Sequence, residues 1–380
     1  MPYTTNNSVI PNQEIYNYIE DVNYGMSKPQ INHLNNLIHG LITVHGNKSI
    51  SSISKSILTA RDSSCVYRFL STSVWDDNLL NRNRIEYLNL ILEQQVKPES
   101  IGFLIIDDTV NPKPNAKKTE GLDYHFSHTE GKNIWSHCVV TSNFVVGDIS
   151  VPIDYYPYYR KEKCEKIYVL TDSWYSNKDV IYTSLQQGYH FIGAIKSNRL
   201  ISPKGIKIQL SQFAEYIDPN ALDVVTVKGK EYRAYTYEGP IAKIENALVV
   251  ISYEVDGNSF KKPIFLISTD IELDVRTIIE YYSKRWTVKT NYKYLKVNLG
   301  FDKYKVRSLL SIERYFLIVF LAINFLEIFR VLQNKFMLKA IGEAIEYQRY
   351  ISTREFVLYI YHKAKNNVPI TDVYNQLQIA

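Results

Sequence analysis

Apolar residues recur at helical spacing in short segments from Glu14 to Leu92. Ile31, Leu34, Leu37, Ile38 and Leu41 share one face, and Ile50, Ile53, Ile57 and Leu58 share another. Gly46-Asn47 breaks the pattern between them, and residues 63–70 and 82–92 supply two more helices. The period then changes. Residues 101–106 form a continuous apolar run, which predicts a strand buried on both faces and ending at Asp107-Asp108-Thr109. Residues 135–146 and 149–154, separated by Gly147-Asp148, predict an antiparallel hairpin. Residues 166–170 predict another strand, ending in Thr171-Asp172-Ser173. A helix over 177–187 follows, with Asn177 near its N-cap, and then a strand over 190–196.

Residues 203–262 read as β-rich, with turns at Lys228-Gly229-Lys230 and Asp256-Gly257-Asn258. A strand over 263–269 precedes a long helix over 273–300. Past it, residues 312–332 predict a strongly apolar helix, and 335–347 and 353–365 two further helices. The expected fold is α/β with a mixed sheet. It divides into a helical region at 1–98, a sheet-bearing region at 99–305 with a β-rich insertion at about 203–262, and a helical region at 306–380.

A chain of 380 residues is long enough for two or three domains. The net charge of +5 permits nucleic-acid binding without demanding it. Cys65, Cys138 and Cys164 have no zinc or CxxC spacing and read as reduced thiols of a cytoplasmic protein. The polar N-terminus has no signal-peptide core. The longest apolar run, 316–326, is too short to span a bilayer and contains Asn324. His125 and His128 have no third ligand at strand or helix spacing and read as loop histidines.

Three stretches carry candidate chemistry. Asp108, with Asp107 as the fallback, and Asp172 each end a buried strand, where the scaffold would hold a carboxylate rigidly as a metal ligand. The plainer reading is a strand-end Asp that caps a turn. Lys113, Lys117 and Lys118 lie in a Pro-rich basic loop just past the first pair, which suits a phosphodiester or a simple surface turn. Tyr282, Arg285, Lys289, Tyr292, Lys296 and Leu299 fall on one face at about 100° per residue. Aromatic rings and positive charge on one line suit a sugar-phosphate backbone; the alternative is a solvated basic helix.

The spacing of Tyr282, Arg285, position 289 and Lys296 resembles the Tyr-Arg-Glu-Lys signature of one branch of bacterial insertion-sequence DDE transposases. Val66-Tyr67-Arg68-Phe69-Leu70, with Trp75 after it, resembles their N-terminal DNA-binding domain. The resemblance implies an RNase H-like fold and a catalytic triad at Asp108, Asp172 and position 289. Mg²⁺ or Mn²⁺ would be bound by the carboxylates, with Tyr282, Arg285 and Lys296 on DNA. It also implies a bacterial cytoplasmic protein that acts as a homodimer on double-stranded DNA with transposon-end inverted repeats, away from membranes. Position 289 departs from the pattern, because Lys stands where the family has the catalytic Glu. An ammonium cannot ligate Mg²⁺ and repels it. Cleavage and strand transfer are therefore expected to be impaired, and a catalytically inactive DNA-binding repressor or architectural protein is the alternative. An RNase H-like nuclease unrelated to mobile elements is a third reading.

Overall fold

The computed structural model describes residues 13–22, 25–97, 99–153, 164–241, 244–257, 259–333 and 337–377. Five helices open it: α1 Gln13–Val22, α2 Lys28–Thr43, α3 Ile50–Ser56, α4 Ser63–Ser71 and α5 Asp77–Gln95. Short polar residues start them. Ser49, Asp62 and Asp76 each accept a backbone N–H of the first turn of α3, α4 and α5.

The strands of the central sheet are β1 Ile101–Pro112, β2 Asp123–Ser127, β3 Lys132–Val146, β4 Ile149–Ile153, β5 Lys166–Thr171 and β6 His190–Ala194. β3 runs antiparallel to β1, and β4 antiparallel to β3. β5 is parallel to β1, and β6 parallel to β5. The order through the middle is therefore β4-β3-β1-β5-β6, with β2 also on β3. Helix α6, Lys178–Gln186, crosses from β5 to β6, with Asn177 accepting the Val180 N–H as its cap.

The insertion contains β7 Leu200–Ile201, β8 Ile208–Gln209, helix α7 Leu210–Glu215, β9 Asp223–Val227, β10 Lys230–Ile241, β11 Ile244–Asp256 and β12 Ser259–Phe260. β13, Ile264–Ser268, pairs with β6 on one side and β11 on the other, so the insertion lengthens the same sheet.

The long helical stretch is not uniform. It runs as α8 Val275–Ser283, a 3₁₀ turn Lys284–Trp286, α9 Thr287–Lys293 and a π turn Tyr294–Asn298. α10 Leu309–Leu332 follows, then α11 Ile341–Lys365 and α12 Ile370–Leu377. The two helices expected over 335–347 and 353–365 are one continuous helix from Ile341, because no Gly or Pro lies between Gly342 and Lys365. Residues 334–336 lie outside the described residues.

α10 is longer than the apolar run 316–326 suggested. By length and composition it could cross a membrane, but 83% of its most apolar window is buried inside the protein. It packs against α2, α4, α5 and α11 and against β4. Two arginines bind these layers together. Arg314 donates to the carbonyls of Leu70, Ser73 and Trp75 and lies 4.3 Å over the Trp75 ring. Arg84 of α5 is fully buried and donates to Asn324 Oδ1 of α10 and to the Pro152 carbonyl. The helices at the two ends of the chain thus share one core.

Candidate nucleic-acid and metal site

β1 does not end at its carboxylates. It stays paired with β3 as far as Pro112, with Asp107 opposite Thr141 and Asp108 opposite Val140. What ends is its pairing with β5, at Ile105 opposite Leu170. Carrying that register two places further sets Asp107 opposite Asp172, the residue just past β5. Residues in register on parallel neighbours lie about 4.8 Å apart and point to the same side of the sheet. Asp107 and Asp172 are therefore the in-register pair, and Asp108 points to the other side of the strand.

Asp107 is buried, and a guanidinium nitrogen of Arg285 lies 3.6 Å from its Oδ2. Burial pushes the Asp107 carboxyl above the ordinary range. The Arg285 charge opposes this, and the charges of Asp172 and Asp108 add to it. Arg285 also lies 5.5 Å from the Tyr282 ring, and burial raises the Tyr282 phenol. Asp108 accepts the Tyr175 hydroxyl at 3.2 Å and lies 3.5 Å from Cys138 Sγ. Burial and then the Asp108 charge push the Cys138 thiol up to about 11. Asp172 caps its own turn, accepting the N–H groups of Trp174 at 2.9 Å and Tyr175 at 3.4 Å. Tyr175 thus touches Asp172 through its backbone and Asp108 through its hydroxyl.

The helix over the site is held to the sheet by its polar side chains. Tyr292 donates to the Asp107 carbonyl at 2.8 Å and meets the Thr141 hydroxyl at 2.6 Å. Asn291 donates to Asn143 and Ser150, and Lys296 donates to the Val110 carbonyl at 2.6 Å. Burial lowers the Lys296 ammonium. The line facing the sheet runs through Arg285, Val288, Tyr292, Leu295 and Leu299, all buried. Tyr282, Arg285 and Lys296 therefore do not form an exposed basic wall, because Arg285 and Lys296 turn inward onto β1 and Tyr282 is half-buried beside Arg285.

Lys289 lies beside this line and is exposed, with its Nζ 4.4 Å from the centre of the exposed Trp286 ring. The 3₁₀ turn accounts for the offset. It advances roughly 120° per residue rather than 100°, so three residues rotate the face by roughly 60°. Lys113 also differs from a free loop cation. It donates to the carbonyls of Asp302 and Tyr304 and lies 3.6 Å over the Tyr304 ring, and burial lowers it to about 8. Lys117 and Lys118 are exposed.

Asp107 and Asp172 offer the hard oxygens that a divalent cation takes. No third carboxylate joins them: among the described residues no group of three or more His, Cys, Asp and Glu could hold a metal. A single cation fits this donor set better than a bridged pair. Another buried carboxylate, Asp270, belongs elsewhere. It sits at the opposite end of β5, bonded to Tyr168 and Lys166. Sequence reading missed Tyr175 and Cys138 as neighbours of the carboxylates. Only Tyr175, three residues after Asp172, was within reach of a local signal.

Two family models match the chain. A DDE superfamily endonuclease model covers residues 25–162, and a transposase DDE domain model covers residues 158–325. No curated protein matches it. Each family match spans less than half of the chain, and the two together support a transposase or endonuclease of the DDE superfamily.

Proposed function

We propose that this chain is an insertion-sequence transposase of the Tyr-Arg-Glu-Lys branch that binds transposon-end DNA and cleaves it weakly. What supports the reading is the β1–β5 register, which ends at Ile105 opposite Leu170 and, carried two places on, brings Asp107 level with Asp172, together with the Arg285 guanidinium 3.6 Å from Asp107. The strand order β4-β3-β1-β5-β6, with three antiparallel strands followed by two parallel ones, supports an RNase H-like core. Asp107 takes the role of first carboxylate in place of Asp108, and Asp172 is the second. These are the residues that would hold Mg²⁺ or Mn²⁺. A divalent ion held there would supply Lewis-acid polarisation of a phosphoryl oxygen and activation of a water. Arg285 and Tyr282 orient the phosphate nearest the carboxylates. Residues 1–98 bind DNA, 99–305 hold the site, and 306–380 support the fold, in a homodimer on inverted repeats in the bacterial cytoplasm.

The second reading is a DNA-binding protein without catalysis. The Arg285–Asp107 ion pair favours it, since it places positive charge where a cation would be held, and position 289 offers no carboxylate. One assay separates the two: Mg²⁺-dependent nicking of labelled DNA carrying the element's own ends. Nicking that is lost in Asp107→Ala and Asp172→Ala supports the transposase. Tight end binding without nicking, at any Mg²⁺ or Mn²⁺ concentration, supports the binding protein.

A further inference from the structure

The segment 301–307 joins the π turn to α10, and its burial alternates. Phe301, Tyr304 and Val306 are buried, whereas Lys303, Lys305 and Arg307 are exposed. Lys113 Nζ bonds the carbonyls of both Asp302 and Tyr304. Carbonyls two residues apart that point the same way are the mark of extended backbone. Lys303, Lys305 and Arg307 therefore stand on one side of a straight strip, ~6.7 Å apart at about 3.3–3.4 Å per residue.

The strip is anchored from beneath. The Tyr304 hydroxyl lies 2.6 Å from His137 Nδ1, and its ring packs on Tyr315 and Phe316. Glu120 N–H donates to the Arg307 carbonyl, tying the strip to the loop that carries Lys117 and Lys118. Two acids lie close by. Asp302 pairs with Lys303 at 3.1 Å, and Glu120 Oε2 accepts the Leu309 N–H at 2.8 Å. Lys305 and Arg307 make no ion pair among the described residues. The strip runs past the far end of β1, where Lys113 and Val110 lie. Lys296, whose Nζ is on Val110, feels the charges of Asp302, Lys303 and Asp108.

We infer that Lys303, Lys305 and Arg307 form a phosphate rail along which the backbone of duplex DNA lies past the far end of β1, with Lys117 and Lys118 on its flank. This rests on the proposed DNA function and names where the duplex runs. A DNA strand presents one charge about every 3.4 Å of helix axis, so three long cations at this spacing can each meet a phosphate. An extended strip held by buried aromatics keeps its charges in place before DNA arrives, so little order has to be gained on binding.

The test is a salt titration of binding to a fluorescent duplex of random sequence. The wild type is compared with Lys303→Gln/Lys305→Gln/Arg307→Gln and with the charge-keeping Lys303→Arg/Lys305→Arg/Arg307→Lys. Loss of three phosphate contacts should lower the slope of log K against log salt by about 2.7, and affinity by on the order of 100-fold at ~0.1 M salt. The charge-keeping variant should retain both, which separates lost charge from lost fold. A wild type that binds with an unchanged slope in the Gln variant overturns the rail and leaves the DNA reading standing. A wild type that binds no duplex overturns the DNA reading and the rail with it.

Discussion

Arg285 is the only cation paired with Asp107 among the described residues, at 3.6 Å, and both side chains are about one-tenth exposed, at 10% each. Burial disfavours the Asp107 carboxylate, and Arg285 is what limits that cost. Arg285→Ala should destabilise the fold by about 3 kcal/mol, the range for stranding one member of a buried pair. Asp107→Asn in the same background should recover much of the loss. The sign with pH follows. A carboxyl raised in the folded state binds a proton that the unfolded chain has released, so stability falls as pH rises through that interval. Removing Arg285 lifts the interval further. Urea denaturation of both variants at acidic and neutral pH reads it, and a loss in Arg285→Ala that does not grow with pH would contradict the pairing.

The strands that hold this site are legible in the sequence because their apolar runs are buried on both faces. The β3–β4 hairpin is legible because Gly147 adopts a positive φ of 55° at its turn. The length of β1 is not. Its last residues look like a polar loop, and only pairing with β3 keeps them in the sheet. The choice between Asp107 and Asp108 needs the register with β5, which no local pattern encodes. The inward turn of Lys113 depends on carbonyls 189 and 191 positions away. The stripe Tyr282 to Leu299 was visible as a periodicity, but a uniform 100° step does not contain the 3₁₀ turn that moves Lys289 off it.

Asn324 interrupts the apolar surface of α10 for a structural reason. Its Nδ2 donates to the Pro152 carbonyl at 3.1 Å, and its Oδ1 accepts from the fully buried Arg84. Asn324→Leu would leave the guanidinium without that acceptor. A buried charged donor stripped of a partner costs about 2–4 kcal/mol. Thermal denaturation should show Asn324→Leu well below the wild type, despite its greater apolar area. A variant of equal stability would mean that Arg84 is held adequately by its other partners, Asn81 and Pro152 among them.

Lys48 supplies a pH signature away from the site. It is buried, and its ammonium donates to the carbonyls of Gly40, Leu41 and Val44 at the end of α2. Burial, aided by the Arg349 charge, lowers it from 10.5 to about 7. Between those values the unfolded chain binds a proton that the folded chain does not, so stability contributed by this group rises with pH across that window. The slope approaches about 1.4 kcal/mol per pH unit for one proton. Lys48→Met removes the titration. The difference in unfolding free energy between wild type and variant should change steadily above neutrality, in favour of the wild type. A difference that is flat with pH would mean that the three carbonyls keep Lys48 charged.

Position 289 is where the proposed chemistry can be gained. Lys289 is exposed and one helical turn past Arg285, so Lys289→Glu is compatible with the helix and disturbs no buried contact. The change replaces an exposed ammonium with a carboxylate and reverses the sign of the charge one helical turn past Arg285. Lys289→Glu should gain Mg²⁺-dependent nicking of cognate end DNA over a weak or silent wild type. Adding Asp107→Ala or Asp172→Ala should abolish the gain. Adding Asp108→Ala should reduce it less, because Asp108 points to the Tyr175 and Cys138 side of β1. The assay is cleavage of end-labelled DNA by purified variants, with and without Mg²⁺. If Asp108→Ala abolishes the gain while Asp107→Ala leaves it, the ligand is Asp108 and the extended register misassigns it. If the wild type already cleaves as well as Lys289→Glu, a residue other than 289 completes the site.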